Sequence, residues 1–321
     1  MSLLEVNGLQ VWFDLPHGGH MHAVRGVDFA LEPGERLGLV GESGSGKTTT
    51  ILALMGLLPP SAEVAGEVRL GGTDILAGGE DSVRAHRWKD IAMVFQGAMN
   101  AFNPVVTVGR QIIEPMVYHG TANGSAARTR ASNLLEMVGL PAGVSERYPH
   151  ELSGGMRQRA AIAMALACEP KILLADEPTT ALDVMVQAQI LQLLTQLSEE
   201  LGLALILVTH DLAVVSQMCE RAAVMYAGQI AEVGPVASLY HSPRHPYTRL
   251  LYAATPDPYG EGVVTSIPGT PPRLDQEILG CPFLPRCDAA LDRCLHEHPK
   301  LRAVLPAQLA ACHLNDLVET P

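Results

Sequence analysis

Apolar positions along the chain change their spacing several times, and each change marks an element. Near the N-terminus they alternate with polar ones, as in Leu9-Gln10-Val11-Trp12-Phe13 and Val27-Asp28-Phe29-Ala30-Leu31, which predicts short β-strands within residues 1–35. Arg36–Val40 is a compact strand running straight into a Gly-rich loop, and a helix is predicted through Thr48–Leu58, stopped by Pro59-Pro60. Strand patterns follow at Gly66–Leu70 and Ile91–Phe95. From Val108 to about Arg159 the spacing turns helical, punctuated at Gly139-Leu140-Pro141 and Tyr148-Pro149. Apolar runs of strand length return at Ile172–Ala175 and Leu203–Thr209, with a helical stretch at Val184–Leu201 between them. Ala222–Tyr226 and Gln229–Val233, joined around Ala227-Gly228, read as a hairpin. Strands alternating with helices predict an α/β fold with a largely parallel sheet covered on both faces.

After about residue 240 periodicity fades and prolines become dense, at Pro243, Pro246, Pro256, Pro258, Pro268, Pro271 and Pro272. A boundary is placed there, separating residues 1–240 from a small loop-rich module of residues 241–321. No internal repeat or low-complexity tract is seen.

Composition narrows the function classes. Of 321 residues, 47% are apolar and 17% charged, against roughly 25% charged in an average soluble domain. Such a deficit is compatible with surface hidden against partners. A net charge of -12 argues against a nucleic-acid binder, whose footprint is basic, but not against nucleotide binding, where a few local donors suffice. No stretch reaches the roughly 18 apolar residues of a membrane span. The N-terminus, Met1-Ser2-Leu3-Leu4-Glu5, lacks the basic start and long apolar run of a secretory signal. The expectation is a cytosolic protein that meets a membrane only through partners.

The strongest single feature is Gly41-Glu42-Ser43-Gly44-Ser45-Gly46-Lys47-Thr48, a G-x-x-x-x-G-K-[ST] pattern with a strand before it and a helix after it. Glycines let the backbone curl so that N–H groups point inward at phosphate oxygens, and the helix N-terminus adds partial positive charge. Lys47 supplies a mobile full charge for the β- and γ-phosphates, the Thr48 hydroxyl can ligate Mg²⁺, and Thr49 follows in the first turn. Many nucleotide-binding classes share this loop, so alone it gives nucleotide binding only.

Ile172-Leu173-Leu174-Ala175-Asp176-Glu177 is an apolar strand ending in two acids, and such a strand delivers side chains to the edge where α/β ligand sites form. Asp176 is placed to hold Mg²⁺ through its water shell, and Glu177 to polarise an attacking water. His210 follows the strand Leu203–Thr209 and is expected at the same edge, within reach of the γ-phosphate. Gln96, after Ile91–Phe95, is a third residue at a strand exit, and its amide can ligate Mg²⁺ or the water.

Leu152-Ser153-Gly154-Gly155-Met156-Arg157-Gln158-Arg159, just upstream of the acidic strand, resembles the signature motif of ATP-binding-cassette (ABC) ATPases. Thr180-Ala181-Leu182-Asp183 resembles the family's D-loop, and Gln96 and His210 match its Q-loop and switch histidine. The resemblance spans roughly residues 1–240. It implies an ABC-type nucleotide-binding domain with a β-subdomain and a helical subdomain at about residues 100–165. It also implies that Ser153, Gly154 and Gly155 open a helix whose N-terminus meets the γ-phosphate of ATP held by a second ATPase subunit. Met156 departs from the Gln found in many members. For the base-stacking aromatic Phe13 is the first candidate and Trp12 the next, because the loop Asp14–His22 blurs the register.

Val94-Phe95-Gln96 with Asn103-Pro104, His245-Pro246-Tyr247-Thr248-Arg249-Leu250-Leu251 and Ile267-Pro268-Gly269-Thr270-Pro271-Pro272 resemble the oligopeptide/dipeptide/nickel group of bacterial importers. That likeness implies two ATPase chains, typically different from one another, two transmembrane permease subunits, an extracytoplasmic peptide-binding protein, and a place at the cytoplasmic face of the membrane. Nickel, glutathione or oligosaccharide remain alternative cargoes. A soluble ABC ATPase of DNA repair or translation is the rival of another class, against which stand the acidic charge and the single cassette.

Of six cysteines, Cys168 and Cys219 sit singly in apolar segments and read as core residues. Cys281, Cys287, Cys294 and Cys312 form a C-x5-C-x6-C-x17-C set that suits either a [4Fe–4S] cluster or tetrahedral zinc, with free or disulfide-bonded cysteines the remaining alternative. No C-x2–4-C zinc knuckle is present, and prolines flank the thiols. His296, His298 and His313 are spare ligands that keep zinc open. The resemblance to the peptide-importer group implies the iron–sulfur choice, in a structural role.

Overall fold

The alternating N-terminal segment forms two long antiparallel strands, β1 (Leu4–Asp14) and β2 (His20–Leu31), rather than several short ones. Register shifts after Val6, Leu9 and Val11 let the hairpin bend without losing its inward face. The structure is a computed structural model and describes residues 2–97, 101–254 and 266–317. Pro256 and Pro258 of the proline-dense stretch lie outside the described residues. The chain divides into two bodies, residues 1–31, 36–79 and 208–321 in the first, and residues 32–35 and 80–207 in the second.

In the first body, β4 (Ala62–Leu70) and the two-residue β5 (Thr73–Asp74) complete a four-stranded sheet in the order β2-β1-β4-β5. Its inward residues Leu4, Val6, Leu9, Val11, Val24, Val27 and Leu31 are fully buried. A second sheet leads into the Gly41–Thr48 loop. Its strand β3 (Arg36–Val40) pairs in parallel with β9 (Arg221–Tyr226), Leu37 facing Arg221 and Val40 facing Val224. Both strands are apolar on both faces, as a sheet covered on two sides requires.

The helix after β3, α1 (Lys47–Leu54), ends before the proline pair that the sequence pattern sets as its stop. Gly56 takes a left-handed φ of 57°, and the Leu57 N–H turns back to the Leu52 carbonyl, so glycine closes the helix before the prolines are reached. Helix α7 (Leu212–Met218) leads into β9, and β9 turns through Ala227-Gly228, both at positive φ, into β10 (Gln229–Pro235). Helices α8 (Val236–His241) and α9 (Pro246–Ala253) come next. The C-terminal segment then returns to the sheet. Strand β12 (Gln308–Ala310) pairs with β10 and carries β11 (Arg302–Leu305) on its outer side. Strands of three and four residues are too short to show alternation, which is why the sequence pattern fades there.

The second body contains α2 (Gly79–His86) from its second residue on, β6 (Ile91–Val94), α3 (Val108–Tyr118), α4 (Gly124–Met137), α5 (Gly154–Ala165), β7 (Ile172–Asp176), α6 (Val184–Leu201) and the first four residues of β8 (Ala204–Thr209). β6 and β7 are parallel neighbours and almost wholly buried. Helix α6 keeps its sequence bounds. It buries Ile190, Leu193, Leu194 and Leu197 on one face and stops at Gly202, which is left-handed at φ 63°. No helix among the described residues is long and apolar enough to cross a membrane.

Candidate functional site

The loop between β3 and α1 is shaped by steric limits at its glycines. Gly41 sits at φ 151°, and a Cβ there would come within 2.2 Å of the Met225 carbonyl oxygen at the end of β9, so only glycine fits. Gly44 and Gly46 are also left-handed, at φ 78° and 101°, and Gly46 is the N-cap of α1. The Ser45 N–H donates to the Glu42 carbonyl, and the Gly228 N–H donates to the Ser45 carbonyl, tying the loop to the turn after β9. Lys47 is only 6% exposed, and its ammonium donates to the carbonyls of Gly41 at 2.7 Å and Glu42 at 2.8 Å. A buried ammonium needs such partners, and these hold it over the loop where phosphate oxygens would lie. Ser43, Gly44 and Thr48 are exposed, while Thr49 is half-buried.

In the second body, β7 delivers Asp176 and Glu177 at its end, in line with the sequence pattern. Asp176 is buried. Glu177 has a positive φ of 42°, a conformation that costs a non-glycine residue about 1–3 kcal/mol and persists where the surroundings over-determine it. Its carboxylate accepts from the Gln96 side-chain amide at 2.8 Å and from the Thr180 hydroxyl at 2.9 Å. Gln96 therefore addresses the second acid of the strand directly, a contact beyond its expected role as Mg²⁺ ligand. Sequence reasoning misses Thr180 as a contact of Glu177, although its place in the Thr180–Asp183 motif is the available signal. His210, just past β8, belongs to the first body with Lys47, whereas Gln96, Asp176 and Glu177 belong to the second.

The signature segment folds as its residue types dictate. Ser153 is the N-cap of α5, its hydroxyl accepting from the Met156 N–H at 3.3 Å, so Gly154 and Gly155 form the first turn. A Cβ on Gly155 would lie 2.7 Å from Val186 of α6, so this glycine also permits close helix contact. Asp183 caps α6 in the same manner, accepting from the Val186 N–H at 3.0 Å. Phe13 lies on β1, opposite Met21 of β2 and Ala62 of β4, and is half-buried. The neighbouring Trp12 ring is stacked on His22, with centroids 4.6 Å apart.

The four C-terminal cysteines are not gathered into the metal-holding group expected of them. Among the described residues there is no group of three or more His, Cys, Asp or Glu that could hold a metal ion. The thiols nonetheless sense one another. Burial pushes Cys281 up to about 11 and Cys312 up to about 12, and in both cases the other cysteines of the set add to the rise. Burial also raises Cys287, so the sulfurs favour the neutral thiol over the thiolate that binds metal. Several backbone N–H groups act in the opposite sense. Phe283 and Leu284 donate to Cys281, Ala289 to Cys287 and Leu314 to Cys312. Two of the spare histidines are otherwise engaged. His313 uses both ring nitrogens, on Asp316 and the Glu297 carbonyl, and His298 bonds the Gly280 carbonyl.

Two side chains that sequence reasoning misses reach the phosphate loop. The Arg286 guanidinium grips the Glu42 carboxylate with two nitrogens, at 2.6 and 2.9 Å. The Tyr247 hydroxyl accepts the Glu42 backbone N–H at 2.9 Å.

Residues 24–180 match the family model described as ABC transporter, and residues 231–294 the one described as oligopeptide/dipeptide transporter, C-terminal region. Over 313 residues the chain is 45% identical to the oligopeptide transport ATP-binding protein OppD of Salmonella typhimurium, covering 97% of this chain and 93% of that protein. It is 43% identical to the dipeptide transport ATP-binding protein DppD of Escherichia coli, covering 98% and 97%. Among solved structures, the ATP-binding cassette MJ0796, dimeric in a post-hydrolysis state with ADP and Pi, aligns with a TM-score of 0.64 at 31% identity. The match covers 73% of this chain and 98% of that one.

Proposed function

The chain belongs to the ABC transporter family, and from that premise we propose that it is the ATP-binding and ATP-hydrolysing subunit of a bacterial importer of oligopeptides or dipeptides. The observation that carries this reading is identity above 40% with peptide-transport ATP-binding proteins over nearly the whole length of both chains. The match of residues 231–294 to an oligopeptide/dipeptide C-terminal region supports peptide cargo over nickel, glutathione or oligosaccharide. The protein then works peripherally at the cytoplasmic face of the membrane, with two permease subunits, a second ATPase chain and an extracytoplasmic binding protein as partners.

The roles follow from chemistry. Amides of Gly41–Thr48 and the Lys47 ammonium hold the β- and γ-phosphates, and Phe13 is the aromatic for the base, since Trp12 is already stacked on His22. Magnesium, when bound, would neutralise the triphosphate, and Thr48, Gln96 and Asp176 are the residues that would hold it. Glu177 polarises a water whose oxygen attacks the γ-phosphorus while the bond to the bridging oxygen breaks, giving ADP and phosphate, with His210 steadying the γ-phosphate. Gln96 and Thr180 orient the Glu177 carboxylate by their two hydrogen bonds. Ser153, Gly154 and Gly155 serve the ATP of the partner chain, beside Asp183 of the D-loop.

Glu177→Gln tests the reading. It should keep ATP affinity while turnover drops by about 10²–10⁴-fold, the span of general-base effects. Turnover above a few per cent of wild type would remove Glu177 from the role.

A [4Fe–4S] cluster on Cys281, Cys287, Cys294 and Cys312 completes the proposal, its role being structural. Support comes from the placing of all four cysteines in one C-terminal segment and from the backbone N–H groups aimed at three of their sulfurs, donors that stabilise thiolate in metal-bound loops. Zinc is the lesser reading, because His298 and His313 already have hydrogen-bond partners. Anaerobic purification should give brown protein with about four irons per chain. Colourless protein with one zinc would overturn the cluster and leave the ATPase reading intact.

A further inference from the structure

We infer that Arg286 and Tyr247 are positioning residues for the phosphate loop, through which the C-terminal segment sets the affinity for ATP. The inference rests on reading Gly41–Thr48 as the triphosphate site. Glu42 is held twice, at its main chain by the Tyr247 hydroxyl and at its carboxylate by the Arg286 fork. The same residue's carbonyl accepts from the Lys47 ammonium and from the Ser45 N–H. Fixing Glu42 therefore fixes where the lysine charge sits.

The clamp is built rather than incidental. The Arg286 side chain is 2% exposed, and a buried guanidinium is tolerated only when its donors are matched. They are matched. Nε donates to the Pro268 carbonyl, one terminal nitrogen also reaches the Tyr226 hydroxyl, and the group lies over the Tyr226 and Phe283 rings. The Glu42 pair is the first cause holding Arg286 above the usual guanidinium range.

Tyr247 is equally committed. It is fully buried, its ring lies against Tyr226 and Phe283, and its N–H donates to His245 Nδ1. His245 in turn donates its N–H to Glu232, whose carboxylate also takes the Gln308 amide of β12. A set of hydrogen bonds thus runs from β12 through Glu232, His245 and Tyr247 to the phosphate loop.

The electrostatic sense is also favourable. A carboxylate at position 42 stands in a loop whose ligand carries several negative charges, and Coulomb repulsion in a low-dielectric setting is costly. Arg286 cancels that charge without being part of the loop. Arg286 also directly precedes Cys287, so the cysteine segment and the phosphate loop share one rigid joint.

The test measures ATP dissociation constants and steady-state kinetics on the complete transporter complex, for wild type, Tyr247→Phe, Arg286→Lys, the double variant, and Arg249→Ala. Tyr247→Phe removes only the accepting hydroxyl, so folding is preserved. Arg286→Lys keeps the charge but loses the fork. Each should weaken ATP binding by about tenfold, with kcat at saturating ATP within about twofold, and the double variant should fall short of the product of the two. Arg249 pairs with Asp288 at an exposed site beside Cys287 and does not touch the loop, so Arg249→Ala should bind ATP like wild type. By reciprocity, ATP should slow amide exchange at residues 281–287 in wild type and less so in Tyr247→Phe. ATP affinity unchanged in Tyr247→Phe and Arg286→Lys, or reduced equally in Arg249→Ala, would overturn the inference. Wild type that itself binds no ATP would instead remove the reading of the phosphate site.

Discussion

Two segments of the first body carry residues typed for a ligand, the Gly41–Thr48 loop and the cysteine segment, yet they are held together over very different distances along the chain. In the phosphate loop the contacts that shape the curl join near neighbours. Lys47 bonds carbonyls five and six positions away, and the Ser45 N–H bonds the carbonyl at Glu42. In the cysteine segment the first and last thiols, Cys281 and Cys312, stand 31 positions apart (312 − 281), and prolines, short 3₁₀ turns and the strands β11 and β12 lie in the interval. A contiguous loop fixes few dihedrals to reach its geometry, whereas a dispersed one must offset the entropy of closing long spans. The first sets its curl among its own neighbours and is then pinned from afar by Gly228, Tyr247 and Arg286. The second has to be ordered by docking, by side chains such as Arg286, or by a bound metal.

The largest expected effect that sharpens this contrast is Gly41→Ala. Its Cβ would collide with the Met225 carbonyl at 2.2 Å, and φ 151° is unsuited to a side chain. Overpacking and strain of a few kcal/mol should lower ATP affinity by about 100-fold. Isothermal titration would show it, and near-normal affinity would mean that the loop is not the rigid cradle described. Lys47→Ala should follow, with about a tenfold to hundredfold loss of ATP binding, since it deletes one buried charge-assisted donor. A nucleotide-binding assay that finds no loss would break the first half of the comparison.

A smaller effect probes the tertiary half. His245 is buried, and desolvation lowers it to about 4 from its ordinary value near 6.5. Its Nδ1 accepts the Tyr247 N–H, so the neutral ring is the one the fold uses. Because the folded-state value is the depressed one, its contribution is complete above about pH 6.5 and is lost as pH falls toward 4, at about 1.4 kcal/mol per pH unit. His245→Asn keeps an acceptor and does not titrate, so its stability should fall less steeply than that of wild type over this window. Denaturant melts at pH 6.5 and 5.5 provide the comparison, and parallel slopes for the two proteins would sink the expectation.

Much of the site is legible because it is written in short runs. The strand Ile172–Asp176, the capped starts of α5 at Ser153 and α6 at Asp183, and the Gly41–Thr48 curl all depend on residues within a few positions of one another. Periodicity and residue type are sufficient at that range. Other features are out of reach of any local pattern. Nothing in the run around His245–Tyr247 says that a hydroxyl will meet a backbone amide 205 residues earlier, and nothing around Cys287 says that its neighbour Arg286 will grip a carboxylate 244 residues away. The addition of β12 to β10 belongs to the same class.

What the amino-acid order determined by itself was the chemistry available at each strand exit and helix start, since backbone sterics, capping and burial of apolar faces act over one or two turns. What only the tertiary structure decided was which distant side chains lock those pieces. Contacts across about two hundred residues are made only where the folded sheet brings their segments together. The partner a buried guanidinium or hydroxyl finds is set by where the folded backbone leaves an unmet polar group.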